Sequence, residues 1–455
     1  MFEIDKQLIN SKVYLKDDTG LCVTGRDFKD INKIFRSSVE KNKLVVCLSD
    51  NSASSILIYL LCVYNGVPIM LLDSTIDEVN LKEILEVYSP TIIAGQNVEG
   101  EFSILNFGLK KNLNEAEEGN EIHPDLALLL STSGSTGSKK FVKISKNALI
   151  ENTKSILDYL PITKNDVAIT TLPLAYTYGL SVINTHFKMG AKIVATKFSV
   201  LQREFWDLIA DEKVTSISGV PYSYEIMIKS GLLKRSLPSL KYMTQAGGNL
   251  STKYKEKLID YCAKKNIDFY VMYGQTEATS RMSYVPPQSL KKKLTSIGVP
   301  ISGGSFDLDT SSNEQDEGTG EIVYTGKNVC MGYSEVRSDL SKGDVNNGRL
   351  HTGDLGYVDD DGYWYIVGRI KRFSKVFGLR VSLVEIENLA QKILNLDEVI
   401  AIEKNGKIQI KYVGVIDERE FKKSLARSTK VHPSAFRLVP VEFIARNESG
   451  KIIYK

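Results

Sequence analysis

The stretch from Leu128 to Ser145, "LLLSTSGSTGSKKFVKIS", places small polar residues and lysines where an apolar run ends. Its glycines let backbone N–H groups converge on an anion without obstruction by a Cβ atom, and its hydroxyl groups add donors. Lys139 and Lys140 supply positive charge. The stretch lacks the Gly-Lys pair of a Walker motif and is not a G-x-S-x-G turn. We therefore expect a loop that binds a phosphate group by another pattern.

Further motifs follow this loop in chain order. They read "LPLAYTYGL" (172–180), "QAGGNLS" (245–251), "YGQTEAT" (273–279), "SIGVPISG" (296–303), "GEIVYTGKNVCMGY" (320–333), "RLHTGDLGYVDDDGYWYIVGR" (349–369), "KVFGLRVSLVEIE" (375–387) and "NESGKIIYK" (447–455). With "TSGSTGSKK" they resemble the acyl-adenylate-forming superfamily, which includes acyl-CoA synthetases, peptide-synthetase adenylation domains and luciferase. The resemblance covers almost the whole chain. The family loop usually ends Pro-Lys-Gly, where this chain has Lys139, Lys140 and Phe141.

The resemblance implies attack of a carboxylate on the α-phosphate of ATP, followed by transfer of the acyl group to a thiol. It assigns Glu277 to Mg²⁺, a hard cation that prefers carboxylates, and Thr276 to an ATP phosphate. An exposed Glu at a helix start is the alternative for Glu277. The remaining residues that it assigns to ATP or AMP are Thr132, Ser133, Gly134, Ser135, Thr136, Gly137, Lys140, Gly247, Gly248, Tyr273 (stacked on adenine, or a core Tyr), Gly274, Gln275, Asp354 (ribose hydroxyls) and Arg369.

Three lysines near the C-terminus match family positions that act in different steps. Lys451 matches the catalytic lysine that bridges the carboxylate and the α-phosphate, and Lys375 matches a loop presented in the thioester-forming step. Lys371 matches the hinge about which the small domain turns, although "KRFSK" is also typical of a basic linker. Tyr176, Tyr222 and Gly247 are expected to line the acyl pocket. Arg281 could pair with a second carboxylate of the substrate or lie on the surface.

The secondary-structure elements that would position these residues are predicted from short apolar runs, which alternate with segments of helical length. "KLVVCLS" (43–49) and "VPIMLLD" (67–73) predict strands on either side of a helix that stops at Asn65-Gly66, a unit typical of parallel sheets. We expect an α/β fold. Residues 1–370 form a large N-terminal domain of parallel or mixed sheets with flanking helices and a β subdomain. Residues 371–455 form a small, mobile α+β C-terminal domain, with a helix predicted from Leu383 to about Leu394.

Composition narrows the class of protein. The chain has 455 residues, and Lys plus Arg total 58 against 55 Asp plus Glu, which gives no argument for nucleic-acid binding. Five scattered cysteines form no C-x-x-C, so a reducing compartment is expected. The four histidines show no metal spacing and are expected to be structural. The apolar run 56–64 is too short for a membrane span, and we expect a cytoplasmic protein.

Several functions remain open from the sequence. The first is a ligase that joins a small carboxylic acid to CoA or to the phosphopantetheine of an acyl carrier protein, with ATP and Mg²⁺ as cofactors. The second is a stand-alone amino-acid adenylation enzyme, but such members usually carry an Asp at the place of Tyr176 to pair with the α-ammonium group. The third is a homologue that binds nucleotide without catalysis, and the fourth, an unrelated nucleotide hydrolase, is disfavoured because no Walker motif is present.

Overall fold

The computed structural model describes residues 8–96, 98, 102–104, 107–111, 121–131, 140–311, 318–376, 379–394, 396, 398–429, 431–447 and 452–454. The chain divides into two compact units. Unit 1 comprises Met1–Lys292, Pro300–Ser305 and Thr325–Leu350, and unit 2 comprises Lys293–Val299, Phe306–Tyr324 and His351–Lys455. Unit 2 thus groups residues 351–370 with the C-terminal residues. A domain boundary near Lys371 stays a prediction.

The described α-helices are α1 (Gly25–Ser38), α2 (Ala53–Asn65), α3 (Glu78–Tyr88), α4 (Lys146–Leu157), α5 (Thr177–Lys188), α6 (Arg203–Asp211), α7 (Pro221–Lys229), α8 (Thr252–Lys265), α9 (Pro287–Leu290), α10 (Leu383–Leu394) and α11 (Glu418–Thr429). Short 3-10 helices span Leu232–Lys234, Thr276–Ala278, Arg337–Ser341, Ile370–Arg372 and Pro433–Ala435.

The described strands are β1 (Val13–Asp17), β2 (Cys22–Thr24), β3 (Val45–Ser49), β4 (Ile69–Asp73), β5 (Ile92–Gly95), β6 (Phe102–Ile104), β7 (Phe107–Lys111), β8 (Leu126–Ser131), β9 (Phe141–Ser145), β10 (Val167–Ile169), β11 (Lys192–Ala195), β12 (Ser216–Gly219), β13 (Tyr242–Gln245), β14 (Asp268–Tyr273), β15 (Ser283–Val285), β16 (Val299–Pro300), β17 (Gly304–Asp309), β18 (Gly320–Gly326), β19 (Gly332–Ser334), β20 (Arg349–Val358), β21 (Trp364–Arg369), β22 (Phe373–Val376), β23 (Leu379–Ser382), β24 (Val399–Lys404), β25 (Lys407–Tyr412) and β26 (Phe436–Pro440).

One sheet of unit 1 has the order β19-β9-β8-β4-β3-β5-β7-β6. The predicted strand–helix–strand unit at 43–73 is confirmed, because β3 and β4 pair in parallel and α2 connects them. α2 ends at Gly66, whose φ of 70° is the left-handed conformation that glycine adopts readily. Every residue of α2 from Ala53 to Val63 is buried, and the surrounding core takes side chains from both large sheets. An α-helix that is apolar on all sides requires such enclosure.

The second sheet of unit 1 has the order β16-β15-β14-β13-β12-β10-β11-β1-β2. Strands β12, β13 and β14 run parallel, and Gly219 lies opposite Gln245 in the register. The segments that follow these strands therefore leave from the same edge of the sheet. Ligands of open α/β sheets bind outside the carboxyl ends of the strands. This edge carries the predicted motifs "QAGGNLS" and "YGQTEAT".

Unit 2 contains a four-stranded sheet, β17-β18-β20-β21, a two-stranded hairpin, β22-β23, and a three-stranded sheet, β24-β25-β26. α10 spans the residues predicted for it, and α10 and α11 share a hydrophobic core with the three-stranded sheet. The expected α/β class, with a β subdomain and an α+β C-terminal part, is confirmed. Among the described residues, no helix combines the length and apolar character that a membrane crossing requires.

Candidate active site

The predicted phosphate loop connects the two strands of a hairpin. β8 and β9 are antiparallel, and Ser131 lies opposite Phe141 at the end of the ladder. Leu126 to Leu130 are buried, so the apolar run before the loop is a core strand as predicted. Thr132, Ser133, Gly134, Ser135, Thr136 and Gly137 lie outside the described residues. Lys140 immediately precedes β9 and is the described end of this loop.

Lys140, Tyr333 and Glu277 form a contact cluster at this end of unit 1. The Lys140 ammonium lies 4.0 Å from the centroid of the Tyr333 ring and 3.6 Å from Glu335 Oε1. The Tyr333 hydroxyl donates to Glu277 Oε1 at 2.9 Å. Burial and the adjacent Glu277 carboxylate raise the pKa of Tyr333, so the phenol stays protonated and acts as the donor. The structure thus brings together two predicted site residues, through a tyrosine that the sequence did not indicate.

The "YGQTEAT" segment doubles back on itself after β14. A Cβ atom on Gly274 would lie 1.7 Å from the Ser280 carbonyl oxygen, so no other residue fits there. Thr279 has a φ of 64°, which is unusual for a β-branched residue and costs about 1–3 kcal/mol. Asn328 stabilises the turn. Its side-chain amide donates to the Ala278 carbonyl at 2.9 Å, and its backbone carbonyl accepts from Thr279 Oγ1 at 2.6 Å. Strain of this kind is concentrated at functional sites.

Glu277 lies within this turn, in the 3-10 helix Thr276–Ala278, and does not begin an α-helix. Its backbone carbonyl accepts from Cys330 N–H at 2.8 Å, and its side chain is half-buried. Among the described residues, Oε1 has the Tyr333 hydroxyl as its donor and Oε2 has none. A carboxylate with one oxygen held and the other open fits a hard cation such as Mg²⁺. Thr276, its neighbour, is buried.

Tyr273 and Gln275 flank Gly274 at the carboxyl end of β14. The Gln275 amide donates to the Tyr273 hydroxyl at 3.3 Å, and both side chains are half-buried. An aromatic face at the carboxyl end of a central strand is the position expected for a residue that contacts adenine. Because Tyr273 is half-buried, both the adenine contact and the alternative of a core tyrosine stay predictions.

The predicted acyl-pocket residues Gly247, Tyr176 and Tyr222 lie around the neighbouring strand end. Gly247 has a φ of 83°, and a Cβ atom there would lie 2.5 Å from the Tyr176 hydroxyl and 3.1 Å from Val220 Cγ1. Tyr176 is buried and precedes α5, and burial raises its pKa. Tyr222, in the first turn of α7, is 37% exposed. Gly247 and Tyr176 are therefore in close contact.

Gly248 continues this turn towards α7. A Cβ atom on Gly248 would lie 3.3 Å from Pro221 Cγ, so the turn packs on the first residue of that helix. The Gln245 amide donates to the Gly248 carbonyl at 2.9 Å and closes the turn. Because Tyr222 follows Pro221, the turn and Tyr222 belong to the same part of unit 1.

Arg281 is buried, so a surface position for it is wrong. Its guanidinium donates to Tyr159 Oη at 3.1 Å, to Met272 Sδ at 3.0 Å and to Ser181 Oγ at 3.1 Å. It also lies 4.9 Å from the centroid of the Tyr178 ring. These contacts connect α5, β14 and the segment after α4. A second carboxylate on the substrate as its partner stays a prediction.

His186 also belongs to this buried region and is structural. Its Nδ1 contacts the Val182 carbonyl at 2.8 Å, and its Nε2 contacts Tyr242 Oη at 3.1 Å. Burial lowers the pKa of His186 to about 4, so the ring is neutral at physiological pH.

Unit 2 brings together Asp354, predicted to contact the ribose, and Arg369, predicted to add a contact to ribose or phosphate. Asp354 on β20 and Arg369 on β21 are opposite each other in the antiparallel register. Arg369 Nε donates to Asp354 Oδ1 at 2.6 Å. Asp354 is fully buried, whereas the Arg369 side chain is 57% exposed. Arg369 therefore holds the carboxylate in one orientation.

Unit 2 also contains a grouping that the spacing of histidines did not indicate. Possible ligand atoms of Asp309, Glu321 and His351 all lie within 4.8 Å of one another. His351 Nδ1 contacts Glu321 Oε2 at 2.9 Å, and the other Glu321 oxygen accepts from Gly353 N–H at 2.8 Å. We assign no metal to this grouping, since its contacts are those of an ordinary polar turn.

The three C-terminal lysines remain predictions. Lys451 lies outside the described residues. Lys371 is placed in the 3-10 helix Ile370–Arg372, and Lys375 lies on β22 opposite Arg380.

The fold defines an α/β protein with a mixed-sheet unit and a β-rich second unit. A family model described as AMP-binding enzyme matches residues 33–334. This span exceeds half of the chain, so the chain belongs to the AMP-binding enzyme family.

Several known relatives are CoA ligases. The chain is 28% identical over 431 residues to a 2-succinylbenzoate–CoA ligase of Oceanobacillus iheyensis. The aligned region covers 90% of this chain and 87% of that protein. It is 27% identical over 399 residues to 4-coumarate-CoA ligase 1 of Narcissus pseudonarcissus, covering 82% and 72%.

Solved structures show the same fold. o-Succinylbenzoate CoA synthetase from Bacillus subtilis, in complex with its acyl-adenylate intermediate, matches with a TM-score of 0.77 and 21% identity, over 99% of this chain and 96% of that chain. ATP-bound MatB from Rhodopseudomonas palustris matches with a TM-score of 0.79 and 21% identity, over 97% and 94%.

Proposed function

We propose that this protein activates a carboxylic acid with ATP as an acyl-adenylate and then passes the acyl group to the thiol of CoA. The contacts of Tyr333 with Glu277, through its hydroxyl, and with Lys140, through its ring, are the observation that carries this proposal. Membership of the AMP-binding enzyme family and the CoA ligases among the relatives support it.

In the first half-reaction, a carboxylate oxygen of the acid attacks the α-phosphorus of ATP. A P–O bond forms, the bond to the leaving pyrophosphate breaks, and the product is a mixed anhydride of the acid and AMP. Two anions approach each other in this step, so fixed positive charge is needed where negative charge accumulates. Lys140 contributes such a charge. Glu277 would hold Mg²⁺, which neutralises phosphate oxygens when bound.

Other residues orient the two substrates. Tyr273 offers its ring to the adenine, and the Asp354 carboxylate can accept from ribose hydroxyls while Arg369 fixes its orientation. Tyr176 and Gly247 form a wall of the acyl pocket. In the second half-reaction, a thiolate attacks the acyl carbon, a C–S bond forms, and the C–O bond to AMP breaks.

We further propose that residues 371–455 act as a small domain that turns about Lys371 between the half-reactions. Lys451 would serve the first and Lys375 the second. The resemblance of "NESGKIIYK" and "KVFGLRVSLVEIE" to family motifs supports these assignments.

The decisive experiment is exchange of labelled pyrophosphate into ATP across a panel of carboxylic acids with Mg²⁺. We expect exchange that depends on one class of acid lacking an α-amino group, because Tyr176 replaces the acidic residue of amino-acid members. A preference for an α-amino acid over its deaminated analogue would instead support the amino-acid adenylation enzyme. Nucleotide binding without exchange for any acid would support the non-catalytic homologue.

The acceptor is identified with the acid found in that screen. CoA and a phosphopantetheine-loaded acyl carrier protein are supplied separately, and the thioester is detected by mass spectrometry. We expect acyl-CoA, and a product on the carrier protein alone would refute the CoA assignment.

A further inference from the structure

Tyr333 connects two parts of the proposed site that are far apart in the sequence. Its hydroxyl donates to Glu277 Oε1 at 2.9 Å, and its ring lies under the Lys140 ammonium at 4.0 Å. We propose that Tyr333 is a positioning residue that orients the Glu277 carboxylate for Mg²⁺ and holds Lys140 beside it. This inference rests on the proposed function, because it concerns how the same site holds Mg²⁺ and ATP.

The backbone around Tyr333 fixes its position on both sides. Tyr333 lies on β19 opposite Val142 of β9. Because Val142 is only two residues after Lys140, the pairing of the two strands sets the distance between the ring and the lysine. On the other side, Cys330 N–H donates to the Glu277 carbonyl at 2.8 Å. Gly332, the first residue of β19, has a φ of 113°, and a Cβ atom there would lie 2.7 Å from Val345 Cγ2.

The hydrogen bond to Glu277 has a chemical consequence for the carboxylate. An ionised carboxylate only accepts hydrogen bonds, so the phenol must be the donor. With Oε1 engaged, Oε2 is the oxygen left to face a cation. A bond to an ionised acceptor is stronger than a neutral one, and it reduces the rotamer freedom that a half-exposed Glu otherwise retains.

The contact with Lys140 acts differently from an ion pair. A ring face attracts an ammonium through its quadrupole and leaves the N–H donors available to other acceptors. Glu335, at 3.6 Å from the Lys140 ammonium, is the competing partner and is 65% exposed. The ring face of Tyr333 thus fixes the position of the Lys140 ammonium, which also lies within ion-pair distance of Glu335.

A purely structural Tyr333, packed on the edge of the sheet, is the alternative. Tyr333 is 41% exposed, so loss of its hydroxyl should cost little stability in either case. The two roles differ in one measurable quantity, which is the Mg²⁺ concentration needed for nucleotide binding.

The test measures binding of a non-hydrolysable ATP analogue by calorimetry at a series of Mg²⁺ concentrations. Tyr333→Phe removes the hydroxyl and keeps the ring, and we expect the Mg²⁺ concentration for half-maximal binding to rise about tenfold. Tyr333→Leu also removes the ring, and we expect weaker binding of the analogue even at saturating Mg²⁺. Tyr357→Phe is the control, because Tyr357 is similarly exposed, at 36%, and is not among the residues assigned to the site.

Two further variants make the outcome specific. In a Glu277→Ala background, Tyr333→Phe should have no further effect on the Mg²⁺ requirement, because its partner is gone. Glu335→Gln should leave the requirement unchanged. All variants are compared by thermal unfolding, and we expect transition temperatures close to that of the unsubstituted protein.

The inference is overturned if Tyr333→Phe and Tyr357→Phe require the same Mg²⁺ concentration, or if Tyr333→Phe acts equally with and without Glu277. It is also overturned if analogue binding by the unsubstituted protein does not respond to Mg²⁺. These binding measurements need no acid substrate. Failure of pyrophosphate exchange would therefore refute the proposed function separately.

Discussion

Replacement of Gly247 by Ala tests whether the acyl-pocket wall is as tightly packed as the structure shows. Two costs are expected. The φ of 83° is unfavourable for a residue with a Cβ atom, by about 1–2 kcal/mol. The new methyl group would also lie 2.5 Å from the Tyr176 hydroxyl, and overpacking of this kind costs about 1–3 kcal/mol.

Gly303 separates these two costs. It has a φ of 79°, nearly that of Gly247, but a Cβ atom there meets nothing within 4 Å. Gly303→Ala therefore incurs only the backbone cost. The free energy of unfolding should fall by about 1–3 kcal/mol more for Gly247→Ala than for Gly303→Ala.

The chain offers a local reporter for this measurement. It has two tryptophans, Trp206 on α6 of unit 1 and Trp364 on β21 of unit 2. In a Trp364→Phe background, urea denaturation followed by fluorescence reports unit 1 through Trp206 alone. This restricts the comparison to one unit, since a chain with two units need not unfold in a single transition.

Tyr176→Phe provides the second comparison, because it removes the oxygen that the new methyl group would meet. The next Tyr176 atom, Cζ, lies 3.6 Å from the Cβ position, which is ordinary van der Waals contact. The double variant should therefore be more stable than the sum of the single effects predicts, by about 0.5 kcal/mol or more. In kinetic assays, Gly247→Ala should raise the KM for the acid several-fold. Equal destabilisation by the two alanine variants, with no rescue by Tyr176→Phe, would refute the packing argument.

Two other predictions concern pH and the half-reactions. Burial lowers the pKa of Lys255 to about 8, below the value of about 10.4 for an unfolded chain, so the unfolded state binds more protons between these pH values. The free energy of unfolding should therefore rise from pH 8 to about pH 10.5, by at most about 3 kcal/mol, and Lys255→Met should abolish this rise. Urea titrations of the two proteins across this pH range measure it. The same pH dependence of stability in both proteins would contradict the prediction. Lys451→Ala should slow acyl-adenylate formation by two to three orders of magnitude, a loss of about 3–4 kcal/mol, and Lys375→Ala should slow only thioester formation from supplied acyl-adenylate. Lys371→Pro should permit adenylation and stop turnover, because proline fixes φ; equal slowing of both half-reactions by the first two variants would contradict the domain rotation.

Local sequence patterns predicted the elements well. The apolar runs at 43–49 and 67–73 became β3 and β4, and Asn65-Gly66 ended α2 because glycine adopts the left-handed conformation of a helix C-terminus. The helix from Leu383 to Leu394 was predicted at its observed bounds. Such signals lie within one element, so they can be read without knowledge of the neighbouring chain.

Contacts between distant segments were not predictable in this way. Tyr333 and Glu277 are 56 residues apart, and nothing in "GEIVYTGKNVCMGY" distinguishes this tyrosine from any other on an edge strand. Arg281 is a similar case, because a charged residue is usually exposed. It is buried here since Tyr159, Ser181 and Met272, from three separate segments, accept its hydrogen bonds.

The "YGQTEAT" turn shows why a motif alone does not separate an enzyme from a non-catalytic homologue. Gly274 is required by the close approach of the Ser280 carbonyl, and Thr279 is held in its strained conformation by Asn328. These residues maintain the backbone, and a protein that had lost catalysis would still need them to fold. The bond from Tyr333 to Glu277 is different, because it orients a half-exposed carboxylate and contributes little to the core. If Tyr333 orients the carboxylate as we propose, this hydrogen bond, rather than the motif alone, favours a working enzyme over a non-catalytic homologue.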